Sequence, residues 1–467
     1  MRTSLACAAT LFLVSGSALA QAPDAKPAAP VTTAAAQVPP PPTVDDPMLV
    51  SVPRAKTEIA TWDDALRHVR ARSTDLRIAM QEVQRAEGQS RVALAGALPT
   101  ISGTATYTHN LITRDTLQFG SGGAVRPVQT PYPDYLTGSI VASQPLFAMR
   151  AWYGIGTASV NEDAARRSLE DTKRQIALGV ANAIVGVVTA ERIAELNRVG
   201  LRNALQRLEL TQRKAALGGA TGLDIVRSRQ DVEVTRATLV AGDESLRQAR
   251  EALGLALGLP EQVGVTPNAD IAGLEKSARS ACRVAPSVDQ RADVAALRTQ
   301  AEVAHRGTVD VKYQFLPTVN LQSGLSTTSI DTGAAPNTTW NIQGVLSVPI
   351  WEGGARYGNL HSAEAQELTA HEQLEAARRK ATVEVEQARR GVSVADDRRK
   401  VATVARDLAA ETDRLTRLAY QEGRGTSLEL VTAAQALRES EIELALREFE
   451  LVKARVLDVL ALASCPW

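Results

Sequence analysis

The chain of 467 residues carries 52 Lys and Arg against 52 Asp and Glu, so its formal net charge is zero. Because it has no basic stripe, it lacks the electrostatic surface that nucleic-acid binding requires, and no nucleic-acid partner is expected. Aromatic residues make up only 4% of the chain, whereas Ala, Leu, Val, Glu, Arg and Gln dominate, which is the composition of long helices.

The N-terminus predicts export. Residues 1–20 have the three parts of a signal peptide: a positive start at Arg2, an apolar core, and the small-residue site Ala18-Leu19-Ala20. The apolar core is too short to cross a bilayer. Residues 21–60 are rich in Pro and Ala and predict an extended tether, so folded structure is expected to begin near Thr61.

The first folded element is a predicted helix. Between Trp62 and Leu94 the apolar residues recur in alternating steps of three and four, as along a coiled-coil seam. Thr61 and Asp64 have the spacing of a capping box at its start, and Pro99 stops it.

Two strands follow, because the hydrophobic period changes to two. Within about 100–147, apolar residues such as Ile101 and Ile140 alternate with Ser and Thr. Each strand is about 9–11 residues long, which is the length that crosses a bilayer at a tilt. Such alternation is typical of a barrel between lipid and water, and equally of a half-buried hairpin in a soluble domain.

A very long helix comes next. Met149 to Leu217 contains no proline over 69 residues, enough for a helix of roughly 100 Å. Its most apolar part, Ile176 to Ala190, is short and contains Asn182, which predicts a buried helical stretch. Any membrane crossing must therefore use strands.

The same order of elements then occurs a second time. Leu98-Pro99-Thr100, Pro145-Leu146-Phe147 and Leu223-Asp224 recur as Leu316-Pro317-Thr318, Pro349-Ile350-Trp351 and Leu428-Glu429. This duplication predicts a first repeat at 61–260, a linker at 261–286 and a second repeat at 287–467, with its hairpin at about 318–350. The second long helix, Gly353 to Gln421, carries a heptad seam of apolar residues: Val401, Val404, Leu408, Leu415 and Leu418.

The loop between the strands is 14 residues longer in the first repeat than in the second, and predicts a larger extracellular loop. Two hairpins give only four strands, and open sheet edges are not tolerated in lipid. The smallest membrane barrels have about eight strands, so the chain is expected to oligomerise. A dimer would have eight strands and a trimer twelve, and a lumen useful for solutes favours the trimer.

In these features the chain resembles the TolC-like outer-membrane efflux proteins. The resemblance covers Trp62 to Leu462 and rests on the order and duplication of the motifs, which include Trp62-Asp63-Asp64-Ala65-Leu66, Pro349-Ile350-Trp351-Glu352-Gly353-Gly354 and Tyr420-Gln421-Glu422-Gly423. It implies a mainly α fold with a β membrane part, in which duplicated β-hairpins and long coiled-coil helix pairs form a homotrimer. The trimer would have a 12-stranded β-barrel in outer-membrane lipid and an α-helical tunnel extending into the periplasm.

The resemblance further implies a passive exit duct of a tripartite efflux system that conducts small molecules to the exterior. Its partners would be a periplasmic adaptor (membrane fusion) protein and an inner-membrane transporter. Two alternatives are the outer-membrane channel of a type I polypeptide secretion system and a periplasmic coiled-coil scaffold that is not a channel.

The turns between the long helices hold the candidate gate residues. If Asp224 and Glu429 line a three-fold axis, the trimer places a ring of carboxylates around one constriction, which would favour cations. Alternatively, each carboxylate only occupies the first turn of its helix, where the helix dipole favours an anion. The resemblance assigns Tyr420 to a closing contact, but the family's partner arginine falls at Gly425, and this chain offers Arg424 instead.

The resemblance also brings the two cysteines of the exported chain, Cys282 and Cys465, into the same region near the middle of the tunnel. A disulfide between them or two free thiols are the alternatives, in an oxidising compartment. No catalytic, cofactor-binding or metal-binding residues are predicted, because the five histidines lack metal-ligand spacing and the glycines at 218–222 lack the lysine of a phosphate-binding loop.

Overall fold

The computed structural model describes residues 43–112, 114–119, 123, 125–130, 133–267, 273–330, 336–465 and 467. The predicted signal peptide and residues 21–42 of the predicted tether lie outside the described residues.

The described residues form strands and helices in the following chain order: β1 (Thr57–Ile59), α1 (Trp62–Arg72), α2 (Thr74–Ala95), β2 (Thr100–Thr108), β3 (Arg114–Phe119), β4 (Val125–Thr130), β5 (Tyr135–Phe147), α3 (Met149–Ala216), α4 (Gly222–Ala256), β6 (Val263–Val265), α5 (Leu274–Ala281), β7 (Arg283–Val284), α6 (Ala292–Tyr313), β8 (Thr318–Thr328), β9 (Thr338–Ser347), α7 (Ala355–Gln421), α8 (Ser427–Ala461) and β10 (Ala463–Ser464). Short 3₁₀ turns occur at Pro47–Leu49 and Val288–Gln290.

The two predicted hairpins join into one antiparallel sheet with the strand order β2-β5-β8-β9. Its register places Ile140 beside Gly103 on one side and beside Leu325 on the other, and Leu325 in turn faces Trp340. Because side chains alternate along a strand, this register gathers the apolar residues of all four strands on one face.

The helices follow the same lateral order as the strands. In the part of the molecule next to the sheet, α3 packs against α2 and α6, and α6 packs against α7. In the other half α4 packs against α3, α3 against α8, and α8 against α7. One flank of the chain is therefore formed by β2, α2 and α4, and the opposite flank by β9 and α7.

The largest buried core lies where α3, α4, α5 and α8 meet the short strands, around Val187, Leu253, Leu257 and Leu460. The apolar stretch Ile176 to Ala190 contributes many of these core residues, as its composition predicts. Helix α3 is the one helix among the described residues that is long and apolar enough to cross a membrane, by length and composition alone.

The predicted tether and linker contain more structure than their sequences indicate. In the described part of the tether, Thr57–Ile59 pairs in parallel with Val263–Val265 of the linker, and Asp46 binds Arg236 at 2.6 Å. The linker also contains α5 and β7, and β7 pairs with β10 at the C-terminus. Ordered structure thus begins before Thr61, because residues distant in sequence supply its hydrogen bonds.

The predicted helix from Trp62 to Leu94 is in fact two helices, divided at Ser73. The capping box of Thr61 and Asp64 begins α1, and the Ser73 hydroxyl caps α2 by accepting from the Leu76 N–H at 3.3 Å. Gly258, with φ of +77°, lies against this break, and a Cβ there would be 2.7 Å from the Arg72 carbonyl oxygen. The turn after α4 therefore holds the break in place, and only glycine fits.

Two further features concern the connections. The longer loop of the first repeat contains the strand pair β3 and β4, so it is a hairpin and not only an enlarged loop. The structure bonds Cys282 to Cys465, with their sulfur atoms 2.06 Å apart. This disulfide joins the segment between the repeats to the end of the second repeat.

Candidate functional site

The two faces of the four-stranded sheet differ sharply in polarity. On one face the side chains of Ile140, Trp340 and Ile342 are 51%, 73% and 65% exposed in the single chain. The other face carries hydroxyls and amides that bond across strands, including Thr104 with Ser139 at 2.7 Å and Gln343 with Gln322 at 3.2 Å. None of the residues in these four strands is charged.

The outer edges of the sheet are unpaired in the single chain. Strands β2 and β9 each pair on one side only, with β5 and β8 respectively. An exposed apolar face with open edges is unfavourable in water, and open edges are equally unfavourable in lipid. Among the described residues, neither edge strand of this sheet has a second partner.

At the other end of the chain, two turns of similar build connect α3 to α4 and α7 to α8. Gly218 and Gly423 have φ of +76° and +79°, the left-handed conformation that ends a helix. The next helix then starts with a capping box, formed by Thr221 with Asp224 and by Thr426 with Glu429. Asp224 and Glu429 thus both have the helix-capping role that their position allows.

Side chains also join the two turns to each other. The Ser427 hydroxyl donates to Oδ1 of Asp224. Lys214 donates from Nζ to the carbonyl oxygen of Tyr420 at 2.5 Å, and the same ammonium lies 4.1 Å from the centre of the Tyr420 ring. These contacts hold the end of the first helix pair, α3 and α4, against the end of the second pair, α7 and α8. We call this region, formed by the two turns, the tip.

The two candidate carboxylates differ electrostatically. Hydrogen bonds from Ser427 and from the Thr221 backbone and hydroxyl lower the pKa of Asp224. The pKa of Glu429 is lowered by its backbone and side-chain hydrogen bonds from Thr426 alone. Asp224 therefore accepts hydrogen bonds from both helix pairs, whereas Glu429 accepts them from its own turn and remains exposed.

Tyr420 and Arg424 are not brought together within one chain. Tyr420 is 8% exposed, whereas the Arg424 side chain is 83% exposed and 3.9 Å from Glu422. The backbone at Gly425 lies close to the last turn of α7. A Cβ there would lie 3.0 Å from the Tyr420 nitrogen and 3.2 Å from the carbonyl carbon of Ala419.

Lys214 and Ser427 are functional candidates that the sequence analysis missed. Each contacts a residue about one repeat length away, since Lys214 is 206 residues from Tyr420 and Ser427 is 203 residues from Asp224. The duplication itself was the available signal, because positions within one or two residues of equivalence in the two repeats come together at the tip.

Comparison with known proteins agrees with this architecture. The family model of the outer membrane efflux protein family matches residues 65–259 and 287–456. Nodulation protein T of Rhizobium leguminosarum bv. trifolii is 24% identical over 408 residues, which cover 84% of this chain and 83% of that protein. Outer membrane protein TolC of Vibrio cholerae is 25% identical over 354 residues, covering 73% and 77% respectively.

A solved structure shares the fold. The crystal structure of the outer membrane protein VceC from Vibrio cholerae superimposes with a TM-score of 0.71 at 19% identity, covering 86% of this chain and 95% of VceC. The family match extends over both repeats and most of the chain. The chain belongs to the outer membrane efflux protein family, and it is a protein of the cell outer membrane.

Proposed function

We propose that the chain is the passive exit duct of a tripartite efflux system, conducting small molecules to the cell exterior. Three copies would close twelve strands into a barrel, with the apolar face toward lipid and the uncharged polar face toward the lumen. The observation that carries this proposal is the sheet itself, with one continuous apolar face, one polar face and two unpaired edges.

The long helices would continue the duct into the periplasm. Helices α3 and α7 have 68 and 67 residues, which corresponds to about 100 Å each. The resemblance to the TolC-like proteins supports an adaptor at the tip and an inner-membrane transporter as the energy source. The tip exposes Leu217 and Thr221 for such an adaptor, with Leu217 at 87%.

We further propose that the tip is the periplasmic gate. Asp224 and Tyr420 would hold it closed within each chain through Ser427 and Lys214. The exposed side chains of Glu429 and Arg424 are free to meet a neighbouring copy at the axis. A gate of this kind opens when the second helix pair moves away from the first.

The first test is the detergent-corrected native mass of protein extracted from outer membranes. A mass of three chains supports the duct, whereas a monomer leaves the four strands unclosed and contradicts it. Deletion of the gene then separates the substrate classes. Increased susceptibility to toxic small molecules supports efflux, and loss of a secreted protein without that change would indicate polypeptide secretion.

A further inference from the structure

The segment that precedes β1 packs along the first helix pair. We call this segment, residues 43–56, the arm. Asp46 of the arm binds Arg236 of α4 at 2.6 Å. Closer to β1, the carbonyl oxygen of Pro53 accepts a hydrogen bond from Arg250 of α4 at 2.7 Å. The arm therefore follows α4 from the level of Arg236 to the end of that helix.

The arm covers an apolar groove between α3 and α4. Its residues Met48 and Leu49 pack against a cluster to which both helices contribute. The buried members of the cluster are at most 2% exposed, and they are Leu201, Ala204, Val232 and Leu239. Asp46 begins the turn that contains Met48 by accepting from its N–H at 2.8 Å. The groove thus holds a short segment with one charged residue, one spacer and two apolar residues.

The second helix pair has an equivalent groove without such a cover. Gly218 and Gly423 occupy the same place in the two tip turns, which sets an offset of 205 residues between the helix pairs. By this offset, the buried residues Val232 and Leu239 of α4 correspond to Leu437 and Leu444 of α8. Both leucines are only half-buried. The described chain has one arm, and the arm lies on the first pair.

The charge at the rim of the groove is reversed between the two pairs. Arg236, which binds the arm, corresponds to Glu441. Glu441 is half-buried, and burial raises its pKa although Arg406 and Arg192 are close enough to oppose this. Among the described residues it makes no hydrogen bond and no ion pair. A half-buried carboxylate without a donor is unfavourable, so this position favours the arrival of a cation.

Other charges at the second groove are matched within the chain. Arg406 lies 3.2 Å from Asp407. Asp413, which is 4% exposed, accepts from Arg417 at 2.6 Å through Oδ2. Its Oδ1 is buried and has no hydrogen-bond partner among the described residues. The groove therefore has two carboxylates, Asp413 and Glu441, with unused acceptor oxygens.

We propose that the groove between α7 and α8 binds an extended segment of a partner protein that carries Lys or Arg, one spacer residue and two apolar residues. The cation binds Glu441, and the two apolar side chains cover Leu437 and Leu444. The arm supports this proposal, because it shows that a groove of this build accepts a short segment of the same pattern. The arm of a neighbouring copy does not fit, since it would place Asp46 against Glu441. The site lies within one chain, so the proposal goes beyond the duct and does not depend on it.

Two fluorescent peptides test this with the detergent-solubilised full-length protein. One peptide has the sequence of residues 43–53, and the other has the same sequence with Asp46→Lys. Fluorescence anisotropy is expected to show the lysine peptide binding at least about tenfold more tightly, because a charge-assisted hydrogen bond forms only with lysine. Glu441→Gln should abolish the difference. Glu439→Gln is the matched control and should keep it, since Glu439 bonds Gln435 on its own helix at 2.9 Å.

A photoreactive group in place of Leu49 of the lysine peptide locates the site, and labelling is expected on α7 and α8 around Leu437. Labelling of α3 and α4 would mean that the peptide displaces the arm, which overturns the proposal. No binding of the lysine peptide overturns it, as does tighter binding of the unchanged peptide, which would assign the charge of the groove to Arg406 and Arg192. A monomeric protein that binds the lysine peptide would contradict the duct and support this inference.

Discussion

Asp224 shows how one carboxylate can combine a local and a long-range role. Its Oδ2 accepts from the Thr221 N–H at 2.8 Å, which caps α4, while its Oδ1 accepts from Ser427 of the other helix pair. From the sequence, a position in the first turn of the helix was one of two alternatives for Asp224, and the capping contact with Thr221 was not predicted. The contact with Ser427 was not predictable, because it depends on how the two repeats pack.

The first prediction concerns the pH dependence of the tip. Hydrogen bonds lower the pKa of Asp224 in the folded state, with Ser427 as the largest contributor. Stabilisation by this group is therefore present above its ordinary pKa and lost as the pH falls through the lowered value. We expect the conductance of wild-type channels in planar bilayers to rise on acidification, and Asp224→Asn to give a raised conductance with a flatter pH profile.

The expected loss in Asp224→Asn is about 1 kcal/mol of tip stability, allowing for solvent screening. Glu209→Gln is the matched control, because Glu209 pairs with Arg213 on its own helix. An unchanged pH profile in Asp224→Asn, or an equal change in Glu209→Gln, would show that the contact with Ser427 does not hold the tip.

The second prediction concerns Lys214. Replacing it with Met keeps the aliphatic stem but removes the ammonium that binds both the carbonyl oxygen and the ring of Tyr420. We expect Lys214→Met to weaken the contact between the helix pairs by about 1 kcal/mol and to increase the single-channel conductance. Arg213→Met is the control, since Arg213 pairs with Glu209 on its own helix. Similar conductance in the two variants would contradict the assignment.

At the scale of elements, the strands were predicted well because their signal is local. Alternation in the sequence corresponds to the two faces of the sheet, and Pro99 and Pro317 precede the strands that begin at Thr100 and Thr318. The break at Ser73 was missed because the seam continues through it, and its cause, the close approach of Gly258, lies 185 residues away. Strand β1 was missed because a three-residue strand is defined by its distant partner.

The third prediction tests the orientation of the sheet. Ile140 and Ser139 are adjacent in β5 but lie on opposite faces of the sheet. Ile140→Arg and Ser139→Arg therefore add the same charge to opposite faces. On a lipid-facing surface the charge costs roughly 2–4 kcal/mol per chain near the bilayer centre, so Ile140→Arg should reduce the trimer recovered from outer membranes. Ser139→Arg should still assemble and should shift the channel toward anion selectivity.

In the reverse result, Ser139→Arg fails to assemble and Ile140→Arg is tolerated. That result would mean that the Ser139 face contacts lipid and the Ile140 face contacts the lumen. Equal tolerance of both changes would mean that neither face contacts lipid. Trimer recovery on native gels and reversal potentials in planar bilayers measure the two expectations separately.

At the scale of the whole molecule, the duplication accounts for most of the architecture. Each repeat supplies one hairpin to the sheet and one pair of helices to the tip. The two repeats meet in the sheet, along α3 where it packs against α6 and α8, and at the tip. The large core around Leu253 and Leu460 departs from this symmetry, because it includes the segment between the repeats. The segment between the repeats was predicted to be a linker because its sequence has no long run of helical or strand periodicity.

The last prediction concerns the disulfide that fixes this segment. Cys282 and Cys465 are 183 residues apart in sequence and lie in the same buried core as Ala463. Closing so long a loop restricts the unfolded chain strongly, so we expect its loss to lower the free energy of unfolding by about 2–4 kcal/mol. Cys282→Ser and Cys465→Ser should each lower the thermal unfolding temperature, and the double variant should fall no further than either single change.

The double variant is decisive because it separates the stability lost with the disulfide bond from the stability lost by changing each buried side chain. If both thiols are free in the native protein, each serine acts only through its own burial, and the two losses should add. Alkylation of the denatured, unreduced wild-type protein provides the independent measurement: no labelled cysteine is expected, and two labelled cysteines would contradict the bond. Because the bond ties the end of the second repeat to the segment that follows the first, we expect its loss to loosen the core while the tip contacts through Lys214 and Asp224 persist.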